Sequence, residues 1–432
     1  MRKAWPIITL YAMGFFASLY YWGLSLDFNP AYFNAHSLTN LAALLGFTAM
    51  TFQLVSSARW RLFEEKAGLD VLLSLHRTMG IFAFVMLLFH GLFHMFQNIS
   101  LKLIPGVFEG MGVTALFLLT AVAVTAIWYR RLRIPYEVWH TIHGLTVVVY
   151  FFGFIHSINL GGTLNSSPEF MTIWKVFAAF AGISLAKILI RKTMLFINRH
   201  TIESVEVDPS GITHLHIAAD IGFVPGQFMF VGRKGRGLII PHPFTITSAP
   251  GSERISFSVK GVGDFTKGAA AFTPGETVHI DGPYGAFTLP SKGIGTGDSL
   301  LCIAGGIGIT PFLAWLRGTP PEEFPRDTVL LWGNRTPSDA VFAEELHGLA
   351  KDRGVKVIHA FSRTSEDSLA DQFGFDAVAG RIDADLIESS APSLQDRQIF
   401  LCGPKDMMDN VTKLLRGKGV PSFRIHRERF GF

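Results

Sequence analysis

The sequence predicts a membrane protein: a six-helix transmembrane bundle, then an antiparallel β-barrel, then a doubly wound α/β domain. Three observations carry this expectation. The 432 residues are 49% hydrophobic and only 17% charged, where an ordinary soluble chain has roughly a quarter of its residues charged. The deficit is confined to the first part: apolar runs with short breaks extend to about residue 195, and Asp, Glu, Lys and Arg return at globular density beyond it. The remainder changes rhythm once, from short alternating runs broken by Gly and Pro to buried-looking strands separated by helical stretches. The net charge of +4 is too small to suggest a nucleic-acid partner, and the two cysteines, Cys302 and Cys402, can build neither a disulfide framework nor a cysteine zinc site.

A hydrocarbon core about 30 Å thick takes about 20 apolar residues at 1.5 Å each. Six segments satisfy this: Ala4 to Leu26, Ser37 to Ser57, Val71 to Phe96, Met111 to Tyr129, Glu137 to Ile158 and Phe170 to Ile190. Basic residues cluster on one side of the series. Arg2 and Lys3 precede the first segment, Arg59, Arg61 and Lys66 follow the second, Arg130, Arg131 and Arg133 follow the fourth, and Arg191, Lys192 and Arg199 follow the sixth, while the opposite loops carry little beyond Lys102. The positive-inside rule then places the N-terminus and everything after the sixth segment in the cytoplasm, with the chain multi-pass in the inner (plasma) membrane. A cleaved signal peptide is the rival reading of Met1 to Leu26, but that stretch is long for one and lacks Ala-x-Ala-like cleavage chemistry.

Beyond the bundle, the runs Thr213 to Ile217, Gln227 to Gly232 and Arg254 to Lys260 predict a small barrel. Strand-like runs at Leu300 to Ala304, Thr328 to Trp332, Lys356 to Ala360 and Gln398 to Cys402 alternate with helical stretches and predict a parallel sheet. The expected domains are 1–195, 196–295 and 296–432. There are no internal repeats and no low-complexity segments.

Seven of the 15 histidines precede residue 195, and ionisable groups inside a membrane are costly and usually functional. The third segment holds His76, His90 and His94, and the fifth holds His140, His143 and His156. His76 and His90 are 14 residues apart, which puts them within about 40° of one helical face and about 21 Å apart along the axis. His143 and His156 are 13 apart on a segment that runs in the same direction. The four can therefore pair at two levels, His76 with His143 and His90 with His156, each pair closing both axial positions of a haem for electron transfer. One difficulty stands: on an ideal helix a 13-residue step is about 140° out of phase, so a bulge or bend near Gly144 or Gly153 is required. Zinc does not suit ligands about 20 Å apart. His140 reads as a surface or haem-propionate contact, and His94 either as a packing residue or as a neighbour of the outer haem.

Seven further motifs follow in order. They are Pro225-Gly-Gln-Phe228, His242-Pro-Phe-Thr-Ile-Thr-Ser-Ala-Pro250, Val259-Lys-Gly-Val-Gly-Asp-Phe-Thr266, Asp281-Gly-Pro-Tyr-Gly285, Ala304-Gly-Gly-Ile-Gly-Ile-Thr-Pro-Phe312, Leu401-Cys-Gly-Pro404 and Glu428-Arg-Phe-Gly-Phe432. With Leu75-His-Arg77 and the paired histidines, they resemble the NADPH oxidase and ferric reductase family, over essentially the whole chain. The resemblance implies FAD, NADPH and two b-type haems as cofactors. It implies that Pro243, Phe244 and Thr245 lie along the flavin ring, with His242, Lys260, Gly263 and Thr266 toward its ribityl and pyrophosphate; soluble relatives often have Arg where His242 stands. Gly305, Gly306 and Gly308, between a strand and a helix, suit a dinucleotide pyrophosphate, with Thr310 and Pro311 opening that helix. Arg335 and Ser338 suit the 2′-phosphate of NADPH, with no acid within Gly333 to Ser338. Cys402, Gly403 and Pro404 would lie near the nicotinamide, and Phe432 would stack on the flavin and move aside for it.

The expected activity is electron transfer from cytoplasmic NADPH through FAD and two haems to an acceptor outside. Oxygen, giving superoxide, comes first, because the resemblance puts His94 at the oxygen site. The family's Arg in the second segment is absent from Ser37 to Ser57, which keeps ferric-chelate reduction and a relay to a soluble extracytoplasmic protein as alternatives. A carrier whose histidines relay protons is a further one. The chain has no calcium-loop motif, so no obligatory protein activator is expected.

Overall fold

A computed structural model describes residues 5–102, 104–129, 131–235, 238–261 and 268–428. Arg2, Lys3, Arg130, Gly263, Thr266 and Phe432 lie outside the described residues. The chain divides into two compact units, Met1–Lys192 and Thr193–Phe432.

In the first unit, α1 (Trp5–Leu24), α2 (Ala35–Ser57), a short α3 (Arg61–Ala67), α4 (Leu69–Ser100), α5 (Val107–Trp128), α6 (Tyr136–Gly144), α7 (Thr146–Leu160), α8 (Gly162–Asn165) and α9 (Pro168–Ile197) follow one another. Among the described residues six stretches are long and apolar enough to cross a bilayer, and they coincide with the six read from the sequence. The chain is a multi-pass membrane protein. Large apolar side chains such as Phe16, Phe89 and Phe117 face outward, each more than half exposed, as lipid-facing positions require. Helix entry is fixed locally at α2: Asn34 Oδ1 accepts the Ser37 N–H while Ser37 Oγ accepts the Asn34 N–H, a reciprocal cap that satisfies two otherwise orphaned donors. Small residues let α1 approach α2. A Cβ on Gly14 would stand 2.5 Å from Phe52 Cε2, and Ser18 Oγ lies 3.0 Å from Thr48 Oγ1 across the same seam.

The second unit holds two sheets. Strands β1 (Arg199–Val207), β2 (Ile212–Ala218), β3 (Phe228–Gly235), β4 (Leu238–Thr245), β5 (Arg254–Lys260) and β6 (Thr277–Tyr284) form an antiparallel sheet in the order β4-β3-β6-β1-β2-β5. A bridge between Ile246, just past β4, and Phe257 on β5 brings the two edges together into a barrel. Its interior is filled by alternate residues such as Ile202, Leu215, Ile217, Met229, Val231 and Phe257. The parallel sheet contains β7 (Ser299–Gly305), β8 (Asp327–Asn334), β9 (Lys356–Phe361), β10 (Ala377–Ala379), β11 (Gln398–Cys402) and β12 (Ile425–Glu428), in the order β10-β9-β8-β7-β11-β12. Leu300, Cys302 and Ala304 face one core and Leu301 and Ile303 the other, so β7 is covered on both faces. The chain leaves β7 toward β8, β9 and β10 and returns to β11 on β7's other side. That reversal marks the ligand crevice of a doubly wound sheet.

Candidate electron-transfer sites

α4 carries His76 and His90 and passes beside α6 and α7, which carry His143 and His156. Their rings meet in the pairs expected: His76 and His143 with centroids 6.0 Å apart, His90 and His156 with centroids 6.3 Å apart. The phase difficulty has a structural answer. The fifth segment is not one helix, since it breaks at Leu145 (φ −62°, ψ −13°), whose N–H turns back to Ile142 O at 3.0 Å. His143 lies in the last turn of α6 and His156 on α7, so the two rings are not bound to the phase of a single ideal helix. Thr146 Oγ1 donates to His143 O at 2.8 Å and ties the two ends of the break.

Hydrogen bonds fix which ring nitrogen is free. His90 Nδ1 lies 3.1 Å from Thr39 O and His156 Nδ1 2.9 Å from Phe108 O. A carbonyl only accepts, so both Nδ1 atoms carry the proton and both Nε2 lone pairs are left for a ligand. His76 Nδ1 lies 3.3 Å from Ser57 Oγ. That hydroxyl already donates to Gln53 O at 2.8 Å, so toward His76 it accepts, and the same tautomer follows. His143 stacks on Trp139 at 5.4 Å, and its buried Nδ1 has no hydrogen-bond partner among the described residues. Imidazoles on opposite sides of one metal, with each metal–nitrogen bond about 2.0 Å, have centroids about 6 Å apart. The two pairs fit that group.

Space beside His156 is made by Gly112 of α5. A Cβ there would lie 2.6 Å from His156 Nδ1 and 2.8 Å from its Cε1. Gly112→Ala is therefore expected to displace the His156 ring and reduce haem content by about half, whereas Gly110→Ala, whose Cβ meets nothing within 4 Å, leaves it unchanged. Pyridine haemochrome assay of the two variants reads the difference.

In the second unit, β4 is one of the two edge strands of the antiparallel sheet. The Ile246 N–H bonds Gln227 O at 3.0 Å on the β3 side. By strand alternation the Phe244 and His242 N–H groups point that way too, and the Thr245 N–H points off the edge. Pro243, in the same phase as Thr245, has no N–H to waste there. Of the four β4 residues expected to line a flavin, Thr245 offers the outward donor. Lys260 at the end of β5 pairs with Asp339 at 3.2 Å.

At the crevice, Gly306 has φ +54° and Gly403 φ +159°, conformations that favour glycine. A Cβ on Gly308 would stand 2.3 Å from Cys402 O, and one on Gly403 3.0 Å from Gly305 Cα. The two loops therefore touch through bare backbone at the N-terminal end of helix α10 (Thr310–Gly318), where an anionic pyrophosphate is favoured. Pro404 belongs to this contact, since its Cδ would lie 2.8 Å from a Cβ on Gly305. Thr310 and Pro311 are buried, and the Thr310 hydroxyl donates to Ile307 O at 3.0 Å. At the end of β8, Asn334 is buried with both side-chain polar atoms unpartnered among the described residues, a donor and acceptor available to a nucleotide. Arg335 and Ser338 follow, with Ser338 Oγ 2.9 Å from Thr336 Oγ1. Asp339 stands next to them, just past the acid-free stretch Gly333 to Ser338. Burial pushes its carboxyl up, but the bonds from Lys260 and Thr336 outweigh this and hold it below the usual carboxylate range. Cys402 is fully buried and its thiol is pushed well up by that burial, so it packs as a neutral group.

Residues 42–154 match the family described as ferric reductase like transmembrane component, residues 197–288 an FAD-binding domain, and residues 302–413 an oxidoreductase NAD-binding domain. In this order they make a ferric reductase/NADPH oxidase-like fusion. The fusion is 30% identical over 215 residues to an NADPH oxidoreductase of Mycobacterium tuberculosis (strain ATCC 25618 / H37Rv), covering 48% of this chain and 52% of that protein. It is 27% identical over 244 residues to a flavohemoprotein of Bordetella pertussis (strain Tohama I / ATCC BAA-589 / NCTC 13251), covering 54% of this chain and 59% of that one. The chain thus spans between half and two thirds of the length of these relatives. Among solved structures, the FAD/NAD-binding domain of nitric oxide dioxygenase from Vibrio cholerae O1 biovar El Tor is similar at 20% identity and a TM-score of 0.46, over 54% of this chain and 97% of that one.

Away from the crevice, the fusion holds a further histidine pair, one member of it buried. His359 of β9 is fully buried, with its Nε2 3.0 Å from His347 Nε2, and burial with His347 beside it pushes its imidazole down to about 3. The unfolded chain takes up a proton below about pH 6.5 that folded His359 refuses until about 3. Its neutral state is thus fully stable above the unfolded value and loses stability as the pH falls through that window, at about 1.4 kcal/mol per unit once well below 6.5. Thermal unfolding of the second unit is expected to drop between pH 7 and pH 5, and His359→Leu to flatten that slope. Identical slopes would disprove the assignment.

Proposed function

We propose that the fusion carries electrons from NAD(P)H, through flavin in the second unit and two bis-histidine haems in the first, to an acceptor on the side of the membrane where His36, His90 and His156 lie. The single observation that supports it most is the pair of imidazole contacts at 6.0 and 6.3 Å, at two levels about 21 Å apart by helical rise. Flavin and haem, when bound, supply the division of a hydride's two electrons into single ones and their passage through the apolar layer.

The chain's own residues do the rest. His76 with His143 and His90 with His156 present ring nitrogens to a metal, and Ser57, Thr39 and Phe108 hold three of those rings in one tautomer. Thr245 presents its N–H to the flavin edge. Gly305, Gly306, Gly308 and Gly403, with the N-terminal turn of α10, cradle the nicotinamide dinucleotide. Arg335 and Ser338 favour NADPH over NADH, and the Lys260–Asp339 pair joins the flavin side to the nucleotide side. On this reading the domains are 1–195, 196–295 and 296–432, with the second and third in the cytoplasm. His94 is the acceptor-side residue, Cys402 packs beneath the nicotinamide, and Gly263, Thr266 and Phe432 keep the roles that the resemblance implies.

Oxygen, reduced to superoxide, is the acceptor that the resemblance puts first. Reduction of a metal ion is the second reading, favoured by a specific observation: His36 brings another imidazole to His94, with centroids 5.2 Å apart. Purified protein loaded with haem and FAD, given NADPH, separates the two. Dye reduction in air that superoxide dismutase suppresses supports oxygen; its absence, with anaerobic reduction of a ferric salt, supports the metal. No haem reduction by NADPH under either condition refutes the electron path.

A further inference from the structure

We propose that the second unit binds a small phosphate monoester in a polar cavity on the outer face of β2 and β5, distinct from the dinucleotide crevice, with Arg254 and His216 as its principal ligands. The site stands independently of the proposed electron path.

Strand alternation builds the cavity. Leu215 and Ile217 of β2, with Ile255, Phe257 and Val259 of β5, fill the barrel. The residues between them point outward, and the antiparallel register sets His214 opposite Ser258 and His216 opposite Ser256. Each of these pairs is bonded: His214 Nδ1 lies 3.0 Å from Ser258 Oγ, and His216 Nδ1 lies 2.8 Å from Ser256 Oγ. Arg317, in the last turn of α10, and Glu345, on α11 (Ala343–Asp352), complete the lining. The enclosed volume is about 300 Å³, which is room for a phosphate group with a short organic tail. Ser256 and Ser258 are buried. A strand face that served only to pack against helices would carry apolar side chains at such positions, and this one carries hydroxyls and imidazoles.

Charge and availability point to an anion. Arg317 is committed: its fork donates to both Glu345 oxygens at 2.7 Å, and it also donates to Thr247 O. Glu345, the acid in the lining, is thereby neutralised in place. Nearby Asp208 is held by His214 Nε2 at 3.4 Å and by the Ser210 and Ile212 N–H groups. Arg254 is different. It is exposed beside the cavity and makes no hydrogen bond or ion pair among the described residues. Burial first, then Arg254, with His214 and Arg317 behind it, pushes His216 below its ordinary value, and Glu206 alone opposes them. The field at His216 is therefore weighted to the positive side, the condition under which an anion is attracted.

The donors suit a dianion. The planar guanidinium of Arg254 matches two phosphate oxygens at once. With the Ser256 hydroxyl donating to His216 Nδ1, Nε2 carries the proton and donates to a third oxygen. α10 begins beside the glycine cradle and ends at this cavity, so an occupant touches the helix that carries the cradle.

The test uses the full chain in maltoside, loaded with haem and FAD, oxidised, and saturated with NADP⁺ so that the crevice is filled. Calorimetry with glycerol 3-phosphate is expected to show one site per chain. Arg254→Gln and His216→Asn are each expected to weaken it at least tenfold. Arg254 is exposed, so its replacement removes no core contact, and flavin absorbance reports folding in the same sample. The ligand is also expected to raise the melting temperature of the wild type with increasing concentration and to leave that of Arg254→Gln unchanged. Glycerophosphoglycerol, a diester with the single charge of a lipid headgroup, is expected to bind at least tenfold more weakly. Isotherms of both variants that superimpose on the wild type overturn the site, as does the absence of binding at millimolar glycerol 3-phosphate. Equal affinity for the diester overturns the monoester and points to a lipid headgroup instead.

Discussion

Replacing His76 or His143 with Ala is expected to halve the haem content and to cut off the remaining haem from NADPH, while His90→Ala or His156→Ala halves the content but leaves the remaining haem reducible. The asymmetry follows from order along the path. The two imidazole levels are about 21 Å apart along α4, and on the proposed orientation the His76 level is the cytoplasmic one. Removing it leaves a gap that an electron from the flavin cannot bridge at a useful rate; removing the far level leaves the near one in place. Each variant is checked by pyridine haemochrome content and by the low-spin bis-imidazole spectrum before and after NADPH, with dithionite to show that the remaining haem is intact. Two bis-imidazole haems retained in any single variant would falsify the ligand set, and equal NADPH reduction in all four would reverse the assigned order.

The six apolar segments and the matched histidines are legible in the sequence because they depend on one variable, position along a helix. A span of about 20 apolar residues or a step of 14 residues can be counted without knowing any neighbour. The break at Leu145 is less legible: the sequence demands some irregularity to bring His143 and His156 into phase, but Gly144 and Gly153 are equally good places for it. What stays hidden is whatever one segment does to another. The role of Phe108 is that of a carbonyl, which every residue has. Gly112 reads as one more small residue in an apolar helix until His156 is found against it, 2.6 Å from where a Cβ would stand. His36 lies in a loop by hydropathy, and only the capped first turn of α2 swings it to His94. In the second unit the glycine-rich turn is legible as a motif, but Asp339 is not, since it falls one residue past the Gly333 to Ser338 stretch and its partner Lys260 is distant in sequence.

Gly308→Ala is expected to lower NADPH-driven haem reduction on the order of 100-fold while dithionite still reduces both haems fully. Among the crevice glycines, this position separates local strain from misplacement. Gly306 has φ +54° but open space around its missing Cβ, so Gly306→Ala costs backbone strain of about 1–2 kcal/mol and leaves the loop where it is. Gly308 has the opposite problem. Its Cβ would lie 2.3 Å from Cys402 O, 2.6 Å from Cys402 C and 2.8 Å from Gly403 Cα, all backbone atoms that no rotamer change can withdraw. Cys402 is itself held in register with Ala304 and Glu428 on either side, so the sheet will not yield and the turn before α10 must. Overpacking of this kind costs about 1–3 kcal/mol in stability, which a folded unit can survive. The functional loss is larger because the N-terminal turn of α10 moves relative to the Gly403 loop, and a misplacement near 1 Å in a positioned reactant costs about 100-fold. Stopped-flow reduction of flavin and haem by NADPH, with the variant's melting temperature alongside, distinguishes the outcomes. If Gly308→Ala unfolds the unit, the melt reports it. If it melts like Gly306→Ala and reduces haem at the wild-type rate, the crevice between β7 and β11 is not where the nicotinamide dinucleotide binds.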